Sequence, residues 1–336
     1  MIKAGFHPQC WREGTGVVLK KQGKPDYSLP KAYRIITLLN CLRKIAEKIM
    51  ATRLSYLSQV SELLDIDQTG GRKQRSAIDA VMSLTHDIEL ARTQSNTVSC
   101  LMLDVKGAFD HVSTNQLLKI MTKLQLPNQV QSWTKSFLEK RKAGLAFDGE
   151  KQEIQDIKIG ISQGSLISPI LFLIYIRFLF PKIKAKFSEV QKPSYIDDVA
   201  LYISGKTAEE NAKVLQEAAK TVFTWAEENA VQFDDSKSEL IHFSRARREP
   251  TAEITLPNKT VIKPSTQVKW LGVWLDRKLS FKTHVQKKVS AATRVLHSIH
   301  RLMNSEWGLS AQARKQLYTV CITSVGDYEV DIWWRN

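Results

Sequence analysis

Two aspartates, Asp197 and Asp198, stand side by side inside "SYIDDVALY" (Ser194–Tyr202). Their flanks read as strand: Tyr195 and Ile196 before them, Val199 to Tyr202 after them. Burying adjacent like charges costs several kcal/mol unless something offsets them. A third acid, Asp104, ends the apolar run "VSCLMLD" (Val98–Asp104), a buried strand with a carboxylate at its tip. If these strands are neighbours, the three carboxylates converge on one rim. Acids clustered without basic partners suit hard divalent cations. Two Mg²⁺ ions about 4 Å apart would neutralise them and would hold the attacking and leaving oxygens of an in-line phosphoryl transfer. A lone Asp-Asp pair is more often a solvated turn, so the chemistry rests on what accompanies it.

The elements that must position these acids alternate without the regular spacing of a doubly wound sheet. An antiparallel sheet backed by helices, with helical units at either end, fits better. The first ~30 residues are polar and read as loop and edge strand. Tyr33 to Leu54 turns helical, with Leu42, Ile45, Ile49 and Arg53 three or four apart. After the Gly/Arg loop "TGGRKQRS" (Thr69–Ser76), Ser76 and Asp79 form a capping box, and Ile78, Met82, Thr85 and Ile88 share a face. Ser113 with Gln116 caps a helix bearing Leu117, Leu118, Met121 and Leu124; Thr207 with Glu210 caps another. Gly160 to Pro169 is a loop leading into an apolar helix. "VKWLGVWLD" (Val268–Asp276) is a strand pair around Gly272, and an amphipathic helix follows from Phe281 to Met303.

The formal net charge is +15 over 336 residues, and 43% hydrophobic content is enough to bury a core. From Lys259 to Lys315 there are twelve Lys or Arg against two acids. A basic element this concentrated suits a phosphate backbone. The four cysteines lack metal-ligand spacing, which argues against a zinc site or disulfide framework and for a reducing compartment. The longest apolar run, Leu166 to Ile176, is too short to span a membrane.

The order of motifs is the specific signal. "LDVKGAFD" (Leu103–Asp110) precedes "GISQGSLISPILF" (Gly160–Phe172), then "YIDD" (Tyr195–Asp198), Lys237 in "DSKSEL", and "WLGVWLD" (Trp270–Asp276). This series resembles motifs A to E of reverse transcriptases. Tyr33–Leu54 and "QTGGRKQRSAIDAV" (Gln68–Val81) resemble the fingers segments of non-LTR (LINE-like) retrotransposon enzymes, with group II intron relatives further off. The resemblance covers nearly the whole chain. It implies an α+β right-hand polymerase: fingers over 1–96, palm over 97–262 with part of the fingers between motifs A and B, and primer grip with a partial thumb over 263–336.

Carried over residue by residue, the resemblance gives Asp104, Asp197 and Asp198 as catalytic metal ligands. Val105 offers its backbone to metal or phosphate. Phe109 is a steric gate selecting deoxynucleotides, and Asp110 is structural. Gln163 and Gly164 hold the incoming nucleotide and template, glycine because a Cβ would obstruct the base pair. Arg72, assisted by Arg75, grips the triphosphate. Lys237 is a general acid toward pyrophosphate. Trp270, Leu271 and Gly272 form the primer grip. Lys282, Lys287, Lys288, Arg294 and Arg301 of the thumb track the template–primer backbone. Ile35, Gly71 and Ser162 depart from the family pattern, which has proline, an aromatic and proline there.

The implied activity is RNA-directed DNA polymerisation in target-primed reverse transcription, with two Mg²⁺ (Mn²⁺ as substitute), an RNA template, a DNA primer and dNTPs. The endonuclease that nicks the target would be linked or missing, so the chain reads as the polymerase module of a larger element or a remnant. It implies an intracellular protein acting in the nucleus during integration, with the mitochondrion as the alternative suggested by the group II relatives. The competing function is a catalytically weak or inactive RNA-binding relic or maturase-like protein.

Overall fold

The expected edge strand near the N-terminus is instead an interior one. Strand β1 (Glu13–Lys20) pairs antiparallel with β2 (Tyr33–Leu38), and on its other side it lies parallel to a strand over Arg141–Phe147. Its polar residues are tolerated because much of this sheet is only partly buried. The computed structural model describes residues 3–21, 23–300 and 308–334. Helix α1 (Cys41–Val60) follows β2, then α2 (Ala77–Thr93), β3 (Thr97–Asp104), α3 (Thr114–Lys123) and α4 (Asn128–Leu138). Next come β4 (Arg141–Phe147), β5 (Glu150–Lys151), β6 (Gln155–Ile157), α5 (Ser168–Ile176) and α6 (Leu179–Lys186). The motif around the paired acids gives β7 (Ser194–Tyr195) and β8 (Asp198–Gly205), followed by α7 (Ala208–Glu228) and β9 (Glu239–Phe243). Two small hairpins, β10–β11 (Ile254–Thr255, Val261–Ile262) and β12–β13 (Gln267–Trp270, Val273–Asp276), precede α8 (Lys282–Ile299).

The chain divides into two units, neither continuous in sequence. The first takes Met1–Arg75, Leu103–Val199 and Ala218–Lys237; the second takes Ser76–Met102, Ala200–Glu217 and Ser238–Asn336. These bounds do not coincide with the intervals 1–96, 97–262 and 263–336, because β3, β8 and α7 each pass from one unit into the other. A four-stranded sheet of order β7-β8-β3-β9 results.

In the first unit, α4 stacks Trp133 on Phe137 with centroids 5.2 Å apart, and α5 is apolar on all sides and buried on nearly all of them. Helix α1 is capped by Asn40, whose side chain accepts from the Leu42 amide. Its inward face differs from the expected one. Leu42, Ile45 and Ile49 are 59%, 57% and 41% exposed, whereas Arg43, Ala46, Glu47, Met50, Leu54 and Ser58 are buried. Both stripes have helical spacing. The core takes the one with small residues and an internally paired charge, because Arg43 and Glu47 have partners inside.

In the second unit, α2 begins with the expected capping box: Ser76 Oγ accepts from Asp79 N, and Asp79 accepts from Ser76 N. Ile88 turns inward with Val81 and Leu84, while Met82 lies outside at 44% exposure, one residue off the expected face. Ile88 joins Val98, Tyr202, Phe243, Val268 and Leu275 in the core. Helix α8 enters through a turn organised by Asp276, which accepts from the amides of Lys278, Ser280 and Phe281. The expected continuation through Arg301 to Met303 lies outside the described residues.

Leu54→Ala, at a fully buried position, is expected to cost about 2–5 kcal/mol in urea unfolding, whereas Ile45→Ala stays within about 0.5 kcal/mol. The reverse order would restore the face read from periodicity.

Candidate active site

The three acids meet because the backbone ties their strand ends together. The Val105 amide donates to the Asp197 carbonyl at 3.2 Å, and the Asp234 amide donates to the Asp104 carbonyl at 2.8 Å. Ser194 pairs with Val199 and Tyr195 with Asp198, so Ile196 and Asp197 form the two-residue turn of the β7–β8 hairpin. Ile196 has φ 58°. A β-branched residue in the left-handed region is strained, and a positive φ at the first turn position is what a tight hairpin of this length demands.

The strain is held from outside by the loop expected to grip the triphosphate. Thr69 N donates to the Ser194 carbonyl at 2.9 Å, and Ser194 N donates to the Asp67 carbonyl at 2.8 Å. Gly70 lies against the turn: a Cβ there would stand 2.6 Å from the Ile196 nitrogen. The buried Lys192 ammonium pairs with Asp67 at 2.5 Å and with Asp65 at 3.6 Å. Sequence reading missed Lys192 because Asp67 is 125 residues away. Arg72 and Arg75 work inside this loop. Arg72 Nη1 donates to the carbonyls of Asp65 and Gln68, and Arg75 Nη1 to that of Ile66.

Electrostatically the cluster is costly. Burial, then the charges of Asp197 and Asp104, push the Asp198 carboxyl up to about 7. Burial also raises Asp197, with Asp104 adding to it. The premise that the acids lack basic partners is corrected. Lys237 Nζ lies 2.6 Å from Asp104 Oδ2 and 3.5 Å from Asp234. Burial alone would lower the lysine, but the hydrogen bond and charge of Asp104 outweigh it and raise its pKa. Here Lys237 is a counter-ion, and a weaker acid than free lysine. Among the described residues no three acidic, histidine or cysteine side chains stand in metal-ligating geometry. The donor set nonetheless fits a hard divalent ion: oxygen ligands only, one of them ionising with difficulty until a cation arrives.

Around the acids stand two cations that sequence reading left unassigned. Arg34 on β2 lowers Asp197, and Lys21, just past β1, feels Lys237, Arg34 and Asp110. Their register across the β1–β2 ladder (Leu19 opposite Arg34, Lys20 opposite Tyr33) brings them to one end of it, and only the paired strands reveal this. Val105, expected to serve metal or phosphate, spends its N–H on Asp197. Phe109 is half-buried, backed edge-on by Phe172 with centroids 5.7 Å apart, and its carbonyl accepts from Ile161 N. Gln163 is tied to β2 through its carbonyl, which accepts from Thr37 N at 2.9 Å. Gly164 has φ 101°, and a Cβ there would meet the Thr37 carbonyl at 3.0 Å, so glycine is required by the approach of β2.

The grip residues lie in the second unit. Leu271 and Gly272 have φ 48° and 91°, the pair of positive values a tight hairpin needs. Tyr328 Oη donates to the Leu271 carbonyl at 3.2 Å, and a Cβ on Gly272 would stand 2.9 Å from that oxygen. Of the thumb lysines, Lys288 stands over the Tyr328 ring at 3.7 Å and Lys287 over Trp274 at 4.4 Å. Lys282 and Arg294 are exposed.

Residues 18–275 match the family model "Reverse transcriptase (RNA-dependent DNA polymerase)". The chain belongs to the reverse transcriptase family. Its relatives place it among the non-LTR, LINE-like reverse transcriptases. It is 27% identical over 99% of its length to the "Probable RNA-directed DNA polymerase from transposon BS" of Drosophila melanogaster, of which it spans 37%. It is 28% identical over 85% of its length to the "RNA-directed DNA polymerase from mobile element jockey" of the same species, spanning 31% of it. Among solved structures, telomerase from Candida albicans, in complex with a TWJ fragment of telomeric RNA, superposes with TM-score 0.58. That match covers 98% of this chain and 62% of the telomerase at 11% identity. The apo telomerase from Candida tropicalis gives 0.54 at 11% identity, covering 82% of this chain and 49% of the telomerase. These likenesses are of fold, and the fold of this reverse transcriptase is the α+β right-hand polymerase.

The raised Asp198 carboxyl carries a stability consequence. Below the unfolded-state value near ~4 both states hold the proton. Between there and about 7 the unfolded chain ionises while the folded one does not. Folding stability therefore falls as pH rises through this window and levels off above it. Asp198→Asn is expected to raise the Tm at pH 8 in divalent-free buffer, with the gain shrinking toward pH 4. A variant less stable than the parent at pH 8 would contradict the reading.

Proposed function

We propose that this chain is the RNA-directed DNA polymerase module of a larger mobile element, extending a DNA 3′-hydroxyl on an RNA template. The observation that carries the reading is the backbone-enforced meeting of Asp104, Asp197 and Asp198 in one unit with Arg34, Lys21 and Lys237. Asp104, Asp197 and Asp198 would hold Mg²⁺, or Mn²⁺ in its place, and these ions would supply charge neutralisation for an in-line phosphoryl transfer. Arg34 and Lys21 would bind the triphosphate, Arg34 by charge-assisted hydrogen bonds. Arg72, whose Nη1 is held within its own loop, would add to them through its remaining donors. Lys237 would keep its proton beside Asp104 until the acid takes a metal, and then be free to deliver it to pyrophosphate. Phe109 would exclude a 2′-hydroxyl. Gln163 would orient the template–nucleotide pair, and Trp270, Leu271 and Gly272 would hold the primer end.

The chain spans about a third of the length of these curated relatives. The rest of the element would supply a target-nicking endonuclease, and the nucleus is the compartment this reading favours. No described helix is long and apolar enough to cross a membrane.

The test is primer extension by the purified chain on an RNA template. Asp197→Asn is expected to cost at least ~10³-fold in rate. Arg34→Ala is expected to raise the KM for dNTP by roughly 10- to 100-fold, the loss of a charged hydrogen bond. Salt-sensitive RNA binding with no extension by the unmutated chain would favour a binding relic instead. Extension surviving Asp197→Asn would remove the mechanism.

A further inference from the structure

The loop Ile161–Leu166 is fastened from three sides. Ile161 N donates to the Phe109 carbonyl, and Thr37 N on β2 donates to the Gln163 carbonyl. The third fastening comes from α1 and is of another kind. Glu47 is fully buried, and its Oε2 accepts from Ser165 Oγ at 2.6 Å and from Leu166 N at 3.2 Å. Its Oε1 accepts from Arg43 Nε at 2.7 Å. Arg43 is 2% exposed; it donates to the Trp11 carbonyl at 2.6 Å and stands over the Phe137 ring at 5.4 Å.

Stability alone does not account for this arrangement. A buried ion pair contributes little net stability compared with apolar residues of similar volume, since two charges must first be desolvated. This pair is not even fully satisfied, as Arg43 Nη2 has no hydrogen-bond partner. What the pair supplies is geometry. A carboxylate is an acceptor on both oxygens, so one oxygen can hold the loop while the other is held by Arg43. An amide cannot do both: whichever way it faces, its NH₂ opposes a donor. A carboxylate one methylene shorter could not keep both ends. The fastened residues directly follow Gln163 and Gly164, and Gln163 is tied to β2, the strand that carries Arg34.

We infer that Glu47 is a positioning residue for nucleotide selection: through Ser165 and Leu166 it fixes the loop that presents Gln163 and Gly164 to the incoming nucleotide and its template base. This rests on the polymerase reading above, and it identifies α1 as part of the nucleotide site although none of its side chains need touch substrate. Weakening the fastening lets Gln163 wander, which raises the dNTP concentration needed for turnover more than it slows the step itself.

The test uses the full chain with Ser165→Ala, Glu47→Gln and the double variant Arg43→Met/Glu47→Met, the last replacing the pair by apolar groups of similar size. Primer extension on an RNA template gives KM for dNTP and kcat, calorimetry gives Tm, and hydrogen exchange follows the amides of 161–167 and of 194–199. Ser165→Ala is expected to raise KM about 5-fold or more, the loss of one hydrogen bond to a charged group, with kcat within twofold and Tm lowered by no more than a few degrees. Glu47→Gln raises KM further. The double variant recovers Tm but not KM, a separation that a purely structural role would not produce. In all three, exchange quickens at 161–167 and is unchanged at 194–199.

Restoration of KM together with Tm in the double variant would overturn the inference, as would an unmoved KM in Ser165→Ala. If the unmutated chain extends no primer, the polymerase reading fails on its own. Hydrogen exchange then decides for the loop: unchanged exchange at 161–167 in Glu47→Gln overturns its fastening by Glu47, and faster exchange confined to 161–167 upholds it.

Discussion

Mutual repulsion among Asp104, Asp197 and Asp198 is the constraint on which the rest of the site depends. Backbone hydrogen bonds bring together the strand ends that carry the three carboxylates. Asp198 is the member that cannot easily ionise there. Lys237 relieves part of the load at Asp104. A divalent cation is what would make such an arrangement favourable.

The surrounding structure maintains that arrangement and connects it to the fingers. The turn of the β7–β8 hairpin stores strain at Ile196, and it is braced by Gly70 and by the ladder of Thr69 and Asp67 with Ser194. Lys192 locks the bracing loop through Asp65 and Asp67. The loop expected to grip the triphosphate therefore braces the hairpin of the acids, and two cations besides Lys237, Lys21 and Arg34, come from the β1–β2 end. Phe109, β2 and α1 each fasten the loop of Gln163 and Gly164. Rigid support from several elements is what a transferase that works mainly by positioning and electrostatics requires.

Local features were legible in the sequence. The strand-tip acids, the capping box at Ser76, the N-cap at Thr207, the apolar α5 and the Gly272 hairpin follow from patterns a few residues long. The ordered motifs led to the family and the fold. Features that depend on distant partners were not legible. The inward face of α1 could not be chosen by periodicity, because both stripes repeat every three or four residues. Its burial is decided by Glu47 meeting Ser165, 118 residues away. Lys21 and Arg34 acquire their place only through strand pairing. The motif order gives Lys237 as a general acid toward pyrophosphate; its pairing with Asp104 emerges only from the structure.

Calorimetric titration of Mg²⁺ into the chain tests the central claim most directly, run at pH 6 and pH 8 in buffers of different ionisation enthalpy. With Asp198 near 7, cation binding at pH 6 must displace a proton. The account predicts proton release at pH 6, little at pH 8, and tighter binding at pH 8. Equal affinity at the two values with no proton release would contradict a cluster of repelling carboxylates awaiting a cation.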